Sequence, residues 1–196
     1  IKCEKYWPEN SKTYHDLSVH LQKTEVFADY SIRTFVVSKT REQRYVFQYH
    51  FTAWPDKGVP QYATQLLAFR RRLATDTAMG SPWVVHCSAG VGRTGAFLAI
   101  DAMIRQAQEN KTIDVDNFVK TMRQNRQNMV QTKEQYLFIH MAILEHLTCG
   151  ITEIQAQQLR KTINELTIND RKEKITGFEK EFKVFIIKAP LATSLP

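Results

Sequence analysis

The stretch VVHCSAGVGRTGAF, Val84 to Phe97, sets one cysteine between an apolar run and a glycine-rich loop that carries an arginine. Five residues separate Cys87 from Arg93, namely Ser88, Ala89, Gly90, Val91 and Gly92. Gly90 and Gly92 permit backbone conformations in which successive N–H groups converge on one point, a nest for an anion. A helix starting near Arg93 would aim its first amides and its dipole at that point, and the guanidinium could grip two oxygens of a tetrahedral phosphate. The same positive field would hold the Cys87 thiol below the ~8.5 of a free cysteine, giving a thiolate nucleophile. A lone cysteine is more often a small buried hydrophobe. Here its neighbours, not the cysteine, carry the argument.

Displacing an oxygen leaving group also needs a proton donor, which a thiolate cannot be, so an acid must come from a separate segment able to close over the substrate. TAWPDKGVP, Thr52 to Pro60, offers Asp56 in a loop bounded by proline and glycine, with Trp54 as an apolar anchor and Gly58 as a flexible one. Trp-Pro-Asp in isolation is more often just a turn.

These groups need a scaffold. SIRTFVVSK and RYVFQYHF alternate as strands, the second placing Tyr45, Phe47, Tyr49 and Phe51 on one face, and TREQ between them reads as a turn. Tyr62, Leu66, Phe69 and Leu73 recur at helical spacing, and DTAMGSP breaks that pattern before a short buried strand expected over Trp83 to His86. Helical spacing returns at Phe97, Ile100 and Ile104, at Val115, Phe118, Val119 and Met122, and at Tyr136, Ile139, Ile143 and Leu147. The sum is an α/β fold, a twisted mixed sheet flanked by helices. Beyond Gly150 a polar segment with a sparse stripe of Ile154, Leu159, Ile163 and Leu166 reads as a linker into another helix.

The chain has 196 residues and a formal charge of +7, enough length for one core and a bias toward acidic partners. Nucleic acid is disfavoured, because FRRR at Phe69 to Arg72 is the only tight basic run and reads as a solvated helix face. Cys3, Cys87 and Cys149 lie far apart, which suits neither a disulfide framework nor a metal site and points to reduced thiols. No apolar run reaches a membrane span; AFLAIDAMI is interrupted by Asp101. A start at Ile1 suggests a piece of a longer product.

The whole string HCSAGVGRTG resembles the signature loop of the tyrosine-specific protein tyrosine phosphatases, and FTAWPDKGVP, KCEKYWP and QTKEQY are similar to other segments of that family. The resemblance implies Cys87 as nucleophile, Arg93 as phosphate clamp, Ser88 to Gly92 as amide cradle, His86 and Thr94 as groups tuning the sulfur, and Asp56 on a mobile acid loop. VQTKEQYLF resembles the family's glutamine loop, with Gln131 favoured for orienting the hydrolytic water. Gln135 is secondary, since Thr132-x-x-Gln135 also reads as a helix capping box that would engage its side chain. Arg126 fits a brace for the phosphate loop, whereas Arg123 fits a solvated helix face nearly as well, and KCEKYWP reads as structural.

The implied reaction runs on phosphotyrosine in proteins through a cysteinyl-phosphate, with no cofactor and no metal. An inactive phosphotyrosine-binding fragment and a dual-specificity or lipid phosphatase are the competing readings. The resemblance also implies that 1–147 is the C-terminal part of a phosphatase domain whose N-terminal portion is absent, so that some apolar surface would face water. It implies a linker and first helix of a second such domain over 148–183, and leaves 184–196 unassigned. The expected setting is cytoplasmic, in a parent membrane receptor, with no insertion of this chain into the bilayer.

Overall fold

The computed structural model describes residues 3–76, 82–168 and 174–183. Residues 77–81 of the expected helix break and the tail 184–196 lie outside the described residues. The chain divides into two compact units, Ile1–Ile143 and Leu144–Pro196.

The first unit opens with a sheet of four strands in sequence order: β1 (Ser11–Tyr14), β2 (Leu17–Val26), β3 (Tyr30–Lys39) and β4 (Glu42–Phe51). All three pairings are antiparallel. The predicted hairpin is β3–β4. Its turn is shorter than expected, because Glu42 and Gln43 already pair with Lys39 and Ser38. Ile32 faces Tyr49, Thr34 faces Phe47 and Val36 faces Tyr45, so these six share one face of the sheet. That face is covered only toward one end, where Tyr49 and Phe51 pack on the core. Tyr45 and Phe47 remain 63% and 55% exposed.

The sheet is antiparallel among the described residues, not mixed. A short buried strand was expected from Trp83 to His86, but this segment forms no ladder with any described strand, and Val84 is 90% exposed. An apolar run becomes a strand only where a neighbour offers its backbone groups.

Helices supply the rest of the core: α1 (Thr64–Asp76), α2 (Gly92–Asn110), α3 (Val115–Asn125) and α4 (Lys133–Cys149). The predicted stripes hold except at their ends: Tyr62 precedes α1 and is exposed, as is Leu147 near the end of α4. Leu66, Phe69 and Leu73 of α1, Phe97, Ile100 and Ile104 of α2, and Ile139 and Ile143 of α4 are buried together. Burying each such side chain contributes about 1.5–3 kcal/mol. Asp114 starts α3 by accepting a hydrogen bond from the Asn117 amide at 2.9 Å.

The basic run on α1 is not wholly solvated. Arg70 is buried and donates to Asp101 of α2 at 2.8 Å, and Asp101 also pairs with Arg105 at 2.7 Å. An apolar groove between the two helices would not admit either charge alone.

In the second unit a 3₁₀ turn (Ala156–Gln158) leads into α5 (Leu159–Thr167). A further helix covers 177–183. It starts at a capping box, in which the Thr176 amide donates to Glu179 at 2.6 Å and the Glu179 amide to Thr176 Oγ1 at 3.1 Å. No helix among the described residues is long and apolar enough to cross a membrane.

Candidate active site

The nucleophile loop ends at Val91, the N-cap of α2, which gives that helix no side-chain cap, and the first turn holds no acidic residue. The leading amides of this 19-residue helix thus receive no side-chain cap of their own and face the loop. The Cys87 sulfur lies at this end and accepts a hydrogen bond from the Gly90 amide at 3.2 Å. Burial alone would push its pKa up. The Thr94 hydroxyl and the amides of Thr94, Gly90 and Val91 outweigh that and bring it down to about 7. Thr94 is 5% exposed and its Oγ1 has no hydrogen-bond partner of full geometry, so its proton is available to the sulfur.

Glycine is favoured at one point of the loop by its backbone angle, and at a second it is closely approached by side chains. Gly90 has φ +70, and a Cβ there would stand 3.2 Å from the Arg126 guanidinium, which donates to the Ala89 carbonyl at 3.0 Å. Arg126, at the end of α3, thus reaches the loop directly. At Gly92 a Cβ would meet Gln131 Oε1 at 2.7 Å and Gln135 Nε2 at 2.9 Å. Both glutamines thus face the mouth of the nest.

Their roles divide. Gln135 is buried and its Oε1 accepts from the Gln131 amide at 2.8 Å, while its own amide donates to Thr132 Oγ1 at 3.2 Å. This is a capping box shifted by one residue: the side chain reaches the amide before the cap residue, not that of the cap itself. Gln131 is the exposed member of the pair.

The acid loop is tied to the nucleophile loop through Arg93, whose Nη2 donates to the Pro55 carbonyl at 2.9 Å and whose guanidinium stands 5.9 Å from the Trp54 ring centre. Asp56 is the next residue. Trp54 is buried against Phe138, edge to face at 5.5 Å, and its Nε1 donates to the Gly58 carbonyl at 3.1 Å. Gly58 has φ +73, in the left-handed region. The two anchors inferred from the sequence are thus one hydrogen-bonded unit.

His86 is held from the sheet. Gln48 Nε2 donates to the Tyr6 oxygen at 2.9 Å, which leaves the Tyr6 proton for His86 Nε2 at 2.8 Å. Nδ1 of His86 then donates to the Cys87 carbonyl at 3.2 Å. Trp7 fixes this arm between His50, 5.7 Å away, and Arg33, 4.8 Å from its ring centre. The KCEKYWP segment, expected to be only structural, reaches His86, the residue before Cys87, through Tyr6.

Arg123 does more than line a solvated helix face. Its Nε and Nη2 donate to the Met129 and Val130 carbonyls at 2.9 and 2.7 Å. The signal was an arginine one turn before Arg126 on the same helix, but only the fold shows what it reaches.

The structure therefore gathers Cys87 to Thr94, Gln131, Gln135, Arg126, His86, Trp54 and the Asp56 loop around one end of α2. Among the described residues no cluster of three or more metal-ligating side chains occurs.

Comparison with known proteins bears on this arrangement. The family described as Protein-tyrosine phosphatase matches residues 1–145. The chain is 47% identical to receptor-type tyrosine-protein phosphatase F of Danio rerio over 187 residues, covering 93% of this chain and 10% of that protein. It is 48% identical to receptor-type tyrosine-protein phosphatase S of Gallus gallus, covering 93% of this chain and 12% of the relative. It is 42% identical to receptor-type tyrosine-protein phosphatase U of Gallus gallus, covering 93% and 13%. The chain thus spans a small part of each relative's length. Because that family's model matches residues 1–145, well over half of its length, the chain belongs to the protein-tyrosine phosphatase family.

Proposed function

We propose that this chain carries the chemical centre of a protein tyrosine phosphatase. A phosphotyrosyl group would sit in the amide nest with two oxygens on Arg93. The Cys87 thiolate attacks phosphorus, the P–O bond to tyrosine breaks, and Asp56 gives the departing oxygen its proton. Water, oriented by Gln131, then attacks the cysteinyl-phosphate while Asp56 takes back a proton. The S–P bond breaks, releasing phosphate and the thiolate. Sulfur is the nucleophile, so the scheme calls on neither metal nor cofactor. Charge on the transferring group is met by Arg93 and the fixed amides of Ser88 to Gly92.

One observation carries this reading: a thiol lowered to about 7 at the uncapped end of α2, on the same loop as an arginine that holds the segment bearing Asp56. Preference for tyrosyl substrates in proteins is supported by the relatives' names and by the acid-loop and glutamine-loop motifs. The relatives' receptor-type names favour a cytoplasmic setting within a parent receptor. In that reading residues 1–147 are the C-terminal part of a phosphatase domain and 148–183 lead toward a second one.

The test is hydrolysis of a phosphotyrosyl peptide without divalent metal, beside Cys87→Ser. Turnover that vanishes in the variant, with vanadate still bound, is the expected result. Equal rates in the two would sink the mechanism, and binding without turnover would make this chain a phosphotyrosine-binding unit.

A further inference from the structure

We propose that Arg123 is a positioning residue for hydrolysis of the cysteinyl-phosphate, acting through Val130 on Gln131. Val130 has φ +60, a conformation that a β-branched residue adopts only when its surroundings over-determine it. Three contacts do so. The Arg123 fork takes the carbonyls of Met129 and Val130 together, at 2.9 and 2.7 Å. The Val130 amide donates to the Val91 carbonyl at 3.1 Å, joining this turn to the N-cap of α2. Gly95 on α2 lets the helix close on it, since a Cβ there would come within 2.7 Å of the Val130 nitrogen. Of the three, only the Arg123 contact is made by a side chain.

Gln131 follows directly, and its direction in space is set by the Val130 backbone together with the Gln135 side chain that its amide reaches at 2.8 Å. With the fork removed, Val130 relaxes toward negative φ and turns Gln131 away from Gly92. Cys87, Arg93 and Asp56 lie on other segments, so formation of the cysteinyl-phosphate is spared. What suffers is the second step, in which water bonds to phosphorus, the S–P bond breaks and Asp56 accepts the proton. The kinetic half of this inference rests on the phosphatase reading; the structural half does not.

The experiment compares Arg123→Met, which keeps bulk and loses the donors, with Arg123→Lys, which can reach one carbonyl. Amide hydrogen exchange at Val130 is expected to speed up about tenfold or more in Arg123→Met and less in Arg123→Lys, with Ile139 and Ile143 unchanged. With an aryl phosphate, kcat is expected to fall about tenfold with KM falling alongside, so that kcat/KM stays within about twofold and a burst of leaving group appears. Unchanged exchange at Val130, or kcat/KM falling as far as kcat, would overturn the proposal. If the unsubstituted chain shows no turnover, the phosphatase reading fails for this chain, and the exchange at Val130 alone decides whether Arg123 is a clamp.

Discussion

At the scale of single residues, the site depends on how far hydrogen bonds can lower a thiol that burial would raise. The Cys87 thiol at about 7 is mostly thiolate above that pH and loses it about tenfold per unit below. Thr94 contributes the largest of the lowering interactions, and it does so from a buried position with no competing partner. Thr94→Val keeps the shape and removes the proton, so the thiol should rise toward the ~8.5 of free cysteine. Iodoacetate alkylation of Cys87 against pH measures this directly. The half-point is expected near 7 in the native chain and higher in the variant, with the difference in rate largest between the two half-points and nearly gone by pH 10. Identical profiles would mean that the amides do the work alone. The nucleophile loop was legible in the sequence because its chemistry is local: seven consecutive residues and the start of a helix suffice. Tyr6 was not, since the residue that orients His86 lies 80 positions away along the chain.

At the scale of elements, what the sequence concealed was pairing. The α1 and α2 stripes were readable from their spacing. The charges set among them made sense only once the helices met. Asp101 interrupts an apolar run because it receives Arg70 from α1 and Arg105 from its own helix, and side-chain exposures of 8% and 11% put the Arg70–Asp101 pair in the interior. The pair predicts an asymmetry. Asp101→Ala strands the Arg70 guanidinium inside and should cost about 3–5 kcal/mol. Arg70→Met leaves Asp101 with Arg105 and fills the space with an apolar chain, so the loss should be smaller. Urea unfolding of both variants checks the order, and equal losses would argue that the buried charge is not the controlling term. The converse failure was Trp83–His86, whose apolar run promised a strand that finds no described partner. β1 and β2 were missed for the opposite reason: polar residues on both faces, as in Lys12, Ser18, Gln22 and Lys23, dilute the alternation that marks a half-buried strand.

At the scale of the molecule, the uneven cover of the sheet is the feature with the largest consequence. Tyr45 and Phe47 share a face with Tyr49 and Phe51, yet only the latter two reach the core, and the former are 63% and 55% exposed on adjacent turns of the pleat. With Val46 on the opposite face at 48%, the end of the hairpin is apolar on both sides. The sequence anticipated uncovered apolar surface, though not where it would fall, because alternation shows that a face is apolar without showing how much of it is covered. Such a patch favours contact with other apolar surfaces, including its own copies. Tyr45→Lys with Phe47→Glu should therefore reduce scattering and bis-ANS binding at a given concentration. The cost in stability should be small, within about 0.5 kcal/mol per site, because neither side chain is buried. The Cys87 alkylation profile should not move, since Tyr45 and Phe47 have no place among the groups gathered at α2. Undiminished self-association would mean that the patch is not the sticky surface, and a shifted alkylation profile would mean that this end of the hairpin bears on the site after all.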